Sequence, residues 1–393
     1  MLARRVLFAA VICFLLPGVA GCWSNYELEQ QALVTALGVD RGSDGRLLAS
    51  AQIVVPRVAG AQRVAGGGGR EESPVFVAGA EGRTVAEAVS MLSNAAGRNL
   101  NFAFMELIVI GRELAAEGIA PVTDWVGRSR ELRLRTLIGV ADGTAREVIE
   151  APGAGLDRIP GTYLASSVAV SELNNSRIVR TSVFDFLHDV SLKGREPLAM
   201  RITVSRTGGK KQAQVSGCAV FRGYRLAGWL NETESRGYLW VTGKIGRGTV
   251  SGTLPGGKPA AYTIRGSKTK IAVAFTGDGP AFRVKIAMKS NLGEVHDPDL
   301  KLDRPQDLEE LEPLLADSVA REAKAALARA RELNADIFGL GEALRRRHPA
   351  QWKEIKDDWD NIFGRVPVEV EVEASIRRTE KAGSPVRPKA WPP

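Results

Sequence analysis

Cysteine and histidine are scarce in this sequence, with three of each among 393 residues. Three thiols cannot build a disulfide framework. Three histidines with them are too few for a multi-ligand zinc site, and none of His188, His296 and His348 belongs to an HExxH motif. Charge of one sign is also lacking. The 53 Lys and Arg against 45 Asp and Glu leave a formal +8, a mild excess that gives no reason to expect a nucleic-acid partner. Long hydrophobic runs are missing too. The apolar stretch from Val6 to Leu16 would span about 16 Å as a helix, roughly half of a bilayer core, so it is too short for a stable transmembrane anchor. What is present is ordinary globular composition, 44% hydrophobic and 25% charged, at a length that suits two or three domains.

That short apolar stretch follows Arg4-Arg5 and ends at Pro17-Gly18, which is the layout of a secretory signal over residues 1–21. Val19-Ala20-Gly21-Cys22 resembles the lipobox of bacterial lipoproteins. On that resemblance the Cys22 thiol carries a diacylglycerol, can also receive an N-acyl group, and becomes the mature N-terminus on the extracytoplasmic side of a membrane. Two acyl chains, at about 0.8 kcal/mol per buried CH₂, suffice to hold a protein there. Cys13 then leaves with the signal. Cys218, inside the apolar Gly217-Cys218-Ala219-Val220, is expected to be a buried, inert thiol.

Hydrophobic periodicity organises the rest. Leu33–Asp40 and Leu47–Val55 read as a hairpin, and the Gly66–Gly69 cluster as a surface loop, since no Gly-Lys-Ser/Thr follows it. Val85, Ala88, Val89, Leu92 and Ala96 fall on a helical stripe. The segments 102–110 and 134–140 read as buried strands, with a helix through Val122, Trp125 and Val126 between them. Beyond the turn-like segment 206–211, two further hairpins are expected at 215–229 and 270–288. A long amphipathic helix follows through Leu308, Leu311, Leu315, Val319 and Ala323. From Val366 to Arg377 valines alternate with glutamates, the period-two signature of a strand with one wet face. The pattern predicts an α+β protein of two or three packed domains, with mixed or antiparallel sheets covered by helices. The expected domains are 22–205, with room for a small middle domain from about 150, and 212–380, followed by a disordered proline-rich tail at 381–393.

No catalytic constellation and no cofactor motif emerges. Asp297-Pro298-Asp299 reads as a turn, and Gly243, Gly246 and Gly248 as loop glycines. Arg128, Arg130, Arg133 and Arg135 form one basic cluster and Arg345–Arg347 another, each able to face solvent, anionic lipid or a partner. Several segments, taken in order, carry a family resemblance. They are Cys22-Trp23, Ala36–Asp40, Glu106–Gly111, Leu226-Ala227-Gly228-Trp229-Leu230, Glu234–Trp240, Asp336–Ala343, and His348-Pro349 with Trp352 and Trp359. Together they resemble the Ger(x)C family, the C-subunit lipoproteins of nutrient germinant receptors in endospore-forming bacteria. The resemblance implies a non-enzymatic protein on the outer face of the spore's inner membrane. Its partners would be an A-type and a B-type integral-membrane subunit, and the assembled receptor would sense small nutrients. Trp229, Glu234, Arg236, Phe338, Gly339, Gly341, Trp352 and Trp359 are its motif residues, expected to serve core or interface. Glu234 and Arg236 are expected to pair locally, and the two glycines to admit a closely packed neighbour. The competing expectation is a solute-binding lipoprotein of a transporter, which needs two similar lobes around a cleft.

Overall fold

A computed structural model of the chain describes residue 4 and residues 30–56, 73–153, 157–277, 279–297, 300, 302 and 304–379. Cys22 and its lipobox, the Gly66–Gly69 cluster and the 381–393 tail lie outside the described residues. In chain order the first half runs β1 (Gln31–Arg41), β2 (Leu47–Val54), β3 (Val75–Gly82), α1 (Val85–Ala96), β4 (Asn99–Asn101), β5 (Leu107–Ile110), α2 (Arg112–Glu117) and α3 (Ala120–Arg128). It continues with β6 (Leu137–Ala141), α4 (Ala145–Glu150), α5 (Pro160–Asn174), α6 (Val183–Ser191), β7 (Leu198–Thr207), β8 (Lys210–Arg222) and β9 (Arg225–Leu230).

These strands form a nine-stranded sheet in the order β3-β2-β1-β5-β6-β7-β8-β9, with β4 beside the start of β1. β1, β5, β6 and β7 are parallel, and antiparallel hairpins extend the sheet at both ends. All four residues of β5 are fully buried, as a parallel strand covered on both faces must be. One face packs on α1, α2, α3 and α6 through Leu92, Leu114, Val122 and Phe186. The other packs on α4 and α5 through Ile149, Leu164 and Val168.

The second half contains α7 (Glu232–Thr242), β10 (Gly248–Thr253), β11 (Pro259–Thr276), β12 (Gly279–Val295), α8 (Pro305–Glu309) and α9 (Glu312–Glu332). It ends with α10 (Leu340–Arg347), α11 (Pro349–Ile355), α12 (Trp359–Phe363) and β13 (Val368–Thr379). Its sheet runs β10-β11-β12-β13, with β13 parallel to β12 after the helical crossover. The valine face of β13 packs toward α9. Its glutamates lie outside, where Glu369 meets Arg283 at 2.8 Å and Glu373 pairs with Lys285.

Segment 206–211 forms the turn that its composition suggests. Gly208 and Gly209, both left-handed at φ 59° and 80°, turn β7 into β8, and the first sheet runs on to Leu230. β8 therefore serves both halves. Ala219 and Phe221 enter the first core, while Cys218 and Val220 enter the second, because successive side chains of a strand point to opposite faces. The buried strands expected at 102–110 and 134–140 begin late, at Leu107 and Leu137. Before them the chain turns, with Asn101 Oδ1 accepting from Ala103 N and Phe102 O from Met105 N. Phe104 and Leu134 are left in solvent.

A buried seam as the candidate functional site

The motif residues of the C-terminal half converge on one place. Asp336 follows α9 and is fully buried, and its carboxylate accepts from Leu340 N (3.0 Å), Gly341 N (2.8 Å) and Trp359 Nε1 (3.1 Å). It thus caps the start of α10 from the preceding loop and ties it to α12. Burial pushes its pKa up to about 6 against these stabilising donors. Gly339 takes φ 71° ahead of α10, a conformation L side chains rarely adopt.

The 194–196 segment of the first half fits against this knot. Asp336 O accepts from Glu196 N at 2.8 Å and Gly194 O from Glu342 N at 3.1 Å. A Cβ on Gly341 would fall 2.7 Å from Gly194 Cα and 2.8 Å from Trp359 Nε1, and one on Gly339 would fall within the Arg195 guanidinium. The close neighbour expected of these glycines is therefore the 194–196 segment. Trp352 and Trp359 pack edge to face at 5.5 Å, Trp359 meets Phe282 and Phe363, and Phe338 meets Tyr238. Phe338, Trp352 and Trp359 are all buried.

A second tie lies deeper. Glu234 does not pair with Arg236. Glu234 and Asn231 form a reciprocal capping box at the start of α7. Arg236, one turn on, points into the core and pairs with Glu322 of α9: Nε lies 2.7 Å from Oε2, and Nη2 donates to Oε1. Trp240 Nε1 joins the same carboxylate at 2.9 Å, while Arg236 Nη1 donates to Thr249 O. Gly237 permits this approach, since a Cβ there would sit 2.0 Å from Glu322 O. Trp229 stands apart on β9, its ring beneath Arg201, which also grips Asp142. Trp229 O accepts from Arg329 Nε of α9.

The first half holds a comparable device. Asp40, at the C-terminal end of β1, accepts from Ala145 N (2.7 Å) and Arg146 N (2.9 Å) of α4. Open parallel sheets usually take ligands beyond the C-terminal ends of their strands, and at α4 the chain's own carboxylate occupies that position. A Cβ on Gly111 would fall 2.0 Å from Asp40 Oδ1.

Chemically, the seam is a set of buried polar ties. Among the described residues no group of three metal-ligating side chains gathers. His188 Nδ1 faces Asp189 at 3.0 Å, but Ser191 Oγ donates to the His188 carbonyl and not to the ring. Cys218 is fully buried, and burial pushes its thiol up to about 12. Beside the knot, Arg195, Lys244, Lys270, Arg346 and Arg347 rim a cavity of about 480 Å³. Sequence reasoning missed Glu322, although it lies seven residues after Leu315 and three after Val319, on the buried stripe. Nothing local marked Gly194, Arg195 or Glu196.

The fold and seam define an α+β protein with two mixed sheets, fastened together by buried polar ties. Comparison with known proteins is consistent along the chain. Residues 24–204 match the family description "Spore germination protein N-terminal domain", and residues 216–380 match "Spore germination B3/ GerAC like, C-terminal". Spore germination protein KC of Bacillus subtilis is 28% identical, with 98% of each chain covered. Spore germination protein B3 of the same organism is 26% identical over 93% of this chain and 96% of its own. The crystal structure of the GerBC protein matches with a TM-score of 0.54 at 21% identity, covering 86% of this chain and 96% of that one, and shares the fold. The chain belongs to the Ger(x)C family of spore germination proteins, the C-subunit class of germinant receptors.

Proposed function

We propose that this protein is the lipid-anchored C subunit of a nutrient germinant receptor. It is held by a diacylglycerol on Cys22 at the outer face of the spore inner membrane. It works without catalysis, in assembly and signal coupling with an A-type and a B-type integral-membrane subunit. The observation that carries this reading is the family match across both halves, preceded by the Val19-Ala20-Gly21-Cys22 lipobox. No described helix is long and apolar enough to cross a membrane, so stable attachment would fall to the acyl chains. The solute-binding alternative draws no support from the lobes, since a nine-stranded and a four-stranded sheet are not alike.

Cys22→Ala tests the proposal. The variant is expected to fold, leave the membrane fraction, and reduce nutrient-triggered germination. Retention in the membrane with normal germination would refute it.

A further inference from the structure

We infer that the surface built by Phe104, Leu134 and Phe184, with Arg133, Arg135 and Arg180 around it, lies on the anionic bilayer that holds the lipid anchor. The inference starts from misplaced apolar side chains. Phe104 is 56% exposed, Leu134 49% and Phe184 56%. They are neighbours: Leu134 O accepts from Phe184 N, Met105 O accepts from Thr136 Oγ1, and Glu106 O accepts from Leu137 N. Val170 and Leu173 of α5 are also exposed, and α5 supplies Ala165 and Ala169 to the groove that Phe104 lines. An exposed apolar patch of this kind marks an interaction site.

Its charge suits an anionic surface. Arg133, Arg135 and Arg180 line that groove. With Arg130 nearby, none of the four forms an ion pair among the described residues, and all four are exposed. The acidic groups close by are Glu131, Asp185 beside Phe184, and Glu106, on which both Asp157 and Arg135 act. Aromatic and aliphatic side chains ringed by arginine are what a headgroup layer accepts.

The topology supplies the orientation. Phe104 and Leu134 immediately precede the parallel strands β5 and β6, and β1 runs parallel to both. The N-terminal ends of these strands share one edge of the sheet, so the chain enters β1 at the edge that carries the patch. There Gln31 pairs with Asn99 of β4, three residues before Phe102. Cys22 precedes Gln30 by eight residues, a reach of at most about 28 Å. This part of the argument rests on the anchoring proposed above. An anchor on so short a tether keeps this edge at the membrane and raises the effective concentration of the patch there.

The test places an environment-sensitive fluorophore on the full lipoprotein through Phe104→Cys or Phe184→Cys, with Glu113→Cys at the opposite strand ends as the control. Cys218 is buried and stays unlabelled, and acylation blocks Cys22. On phosphatidylcholine vesicles containing phosphatidylglycerol, the labels at 104 and 184 are expected to shift to the blue and the label at 113 to remain water-like. Arg133→Gln/Arg135→Gln/Arg180→Gln is expected to abolish the shift, as is high salt, which screens exposed charges. Water-like emission at 104 and 184 while the protein co-sediments with the vesicles overturns the inference. A shift that appears only when the membrane subunits are present also overturns it, in favour of a protein partner. Mass spectrometry of Cys22 reports separately on the anchor. If Cys22 is found unacylated, a Cys22→Ser chain labelled at 104 or 184 that still shifts on anionic vesicles supports the patch and refutes the anchoring.

Discussion

The Arg236–Glu322 tie can be broken in two ways with opposite outcomes. Both side chains are almost fully buried, at 7% and 10% exposure. Glu322→Ala leaves the guanidinium with only Thr249 O as acceptor and strands the Trp240 indole N–H. Removing one partner of a buried pair costs about 3–5 kcal/mol, because the remaining charge has neither water nor counter-charge. Taking about 4 kcal/mol at roughly 2–4 °C per kcal/mol for a domain of 150–250 residues, the melting transition of the C-terminal half is expected to fall by about 8–16 °C. Arg236→Met/Glu322→Leu removes both charges and fills the space with apolar atoms. It is expected to recover most of that loss. Urea denaturation followed by tryptophan fluorescence measures all three proteins, since Trp240, Trp352 and Trp359 belong to this core. The reasoning fails if Glu322→Ala costs less than about 1 kcal/mol, or if the double variant loses the sum of the single losses.

Gly341→Ala is expected to cost about 3 kcal/mol, the upper end of overpacking costs, since its methyl would press on Gly194 backbone and Trp359. Gly97→Ala, left-handed but with open space around it, is expected to lose only about 1–2 kcal/mol of backbone strain, and equal losses by thermal denaturation would argue against a tight seam. Glu196 is raised from 4.5 to about 7 by burial, opposed by the Gly223 N–H at 2.6 Å. Its folded form holds the proton more tightly than its unfolded form, so this contribution is complete below about pH 4.5 and is lost as pH rises through 7. Relative to Glu196→Gln, the parent is expected to lose about 3 kcal/mol of stability over that window, and parallel stability–pH curves would contradict the assignment.

The elements most legible in the sequence were those with strong local periodicity. The hairpin β1–β2, the stripe of α1, the stripe of α9 and the alternation of β13 each follow from side chains a few residues apart sharing a face. The same reasoning ran too far at Phe104 and Leu134, because apolar residues ahead of a strand look like part of it when only neighbours are considered. It also paired Glu234 with Arg236, two residues apart, although residues two apart on a helix do not face each other. Glu234 capped its own helix, and Arg236 found Glu322 across 86 positions.

The sequence by itself determined the composition of the cores, the short signal-like start with Cys22, the elements of strong period and the order of motifs that mark the family. All of these are properties of neighbours along the chain. Only the tertiary structure decided what the motif residues do. Asp336, Gly339, Gly341, Trp352 and Trp359 became one seam when the 194–196 segment, about 140 residues earlier, packed against them. Asp40 closed on α4 from the far end of another strand. A buried carboxylate needs donors to replace water, and which distant backbone supplies them is set by how the sheets and helices pack, not by local pattern.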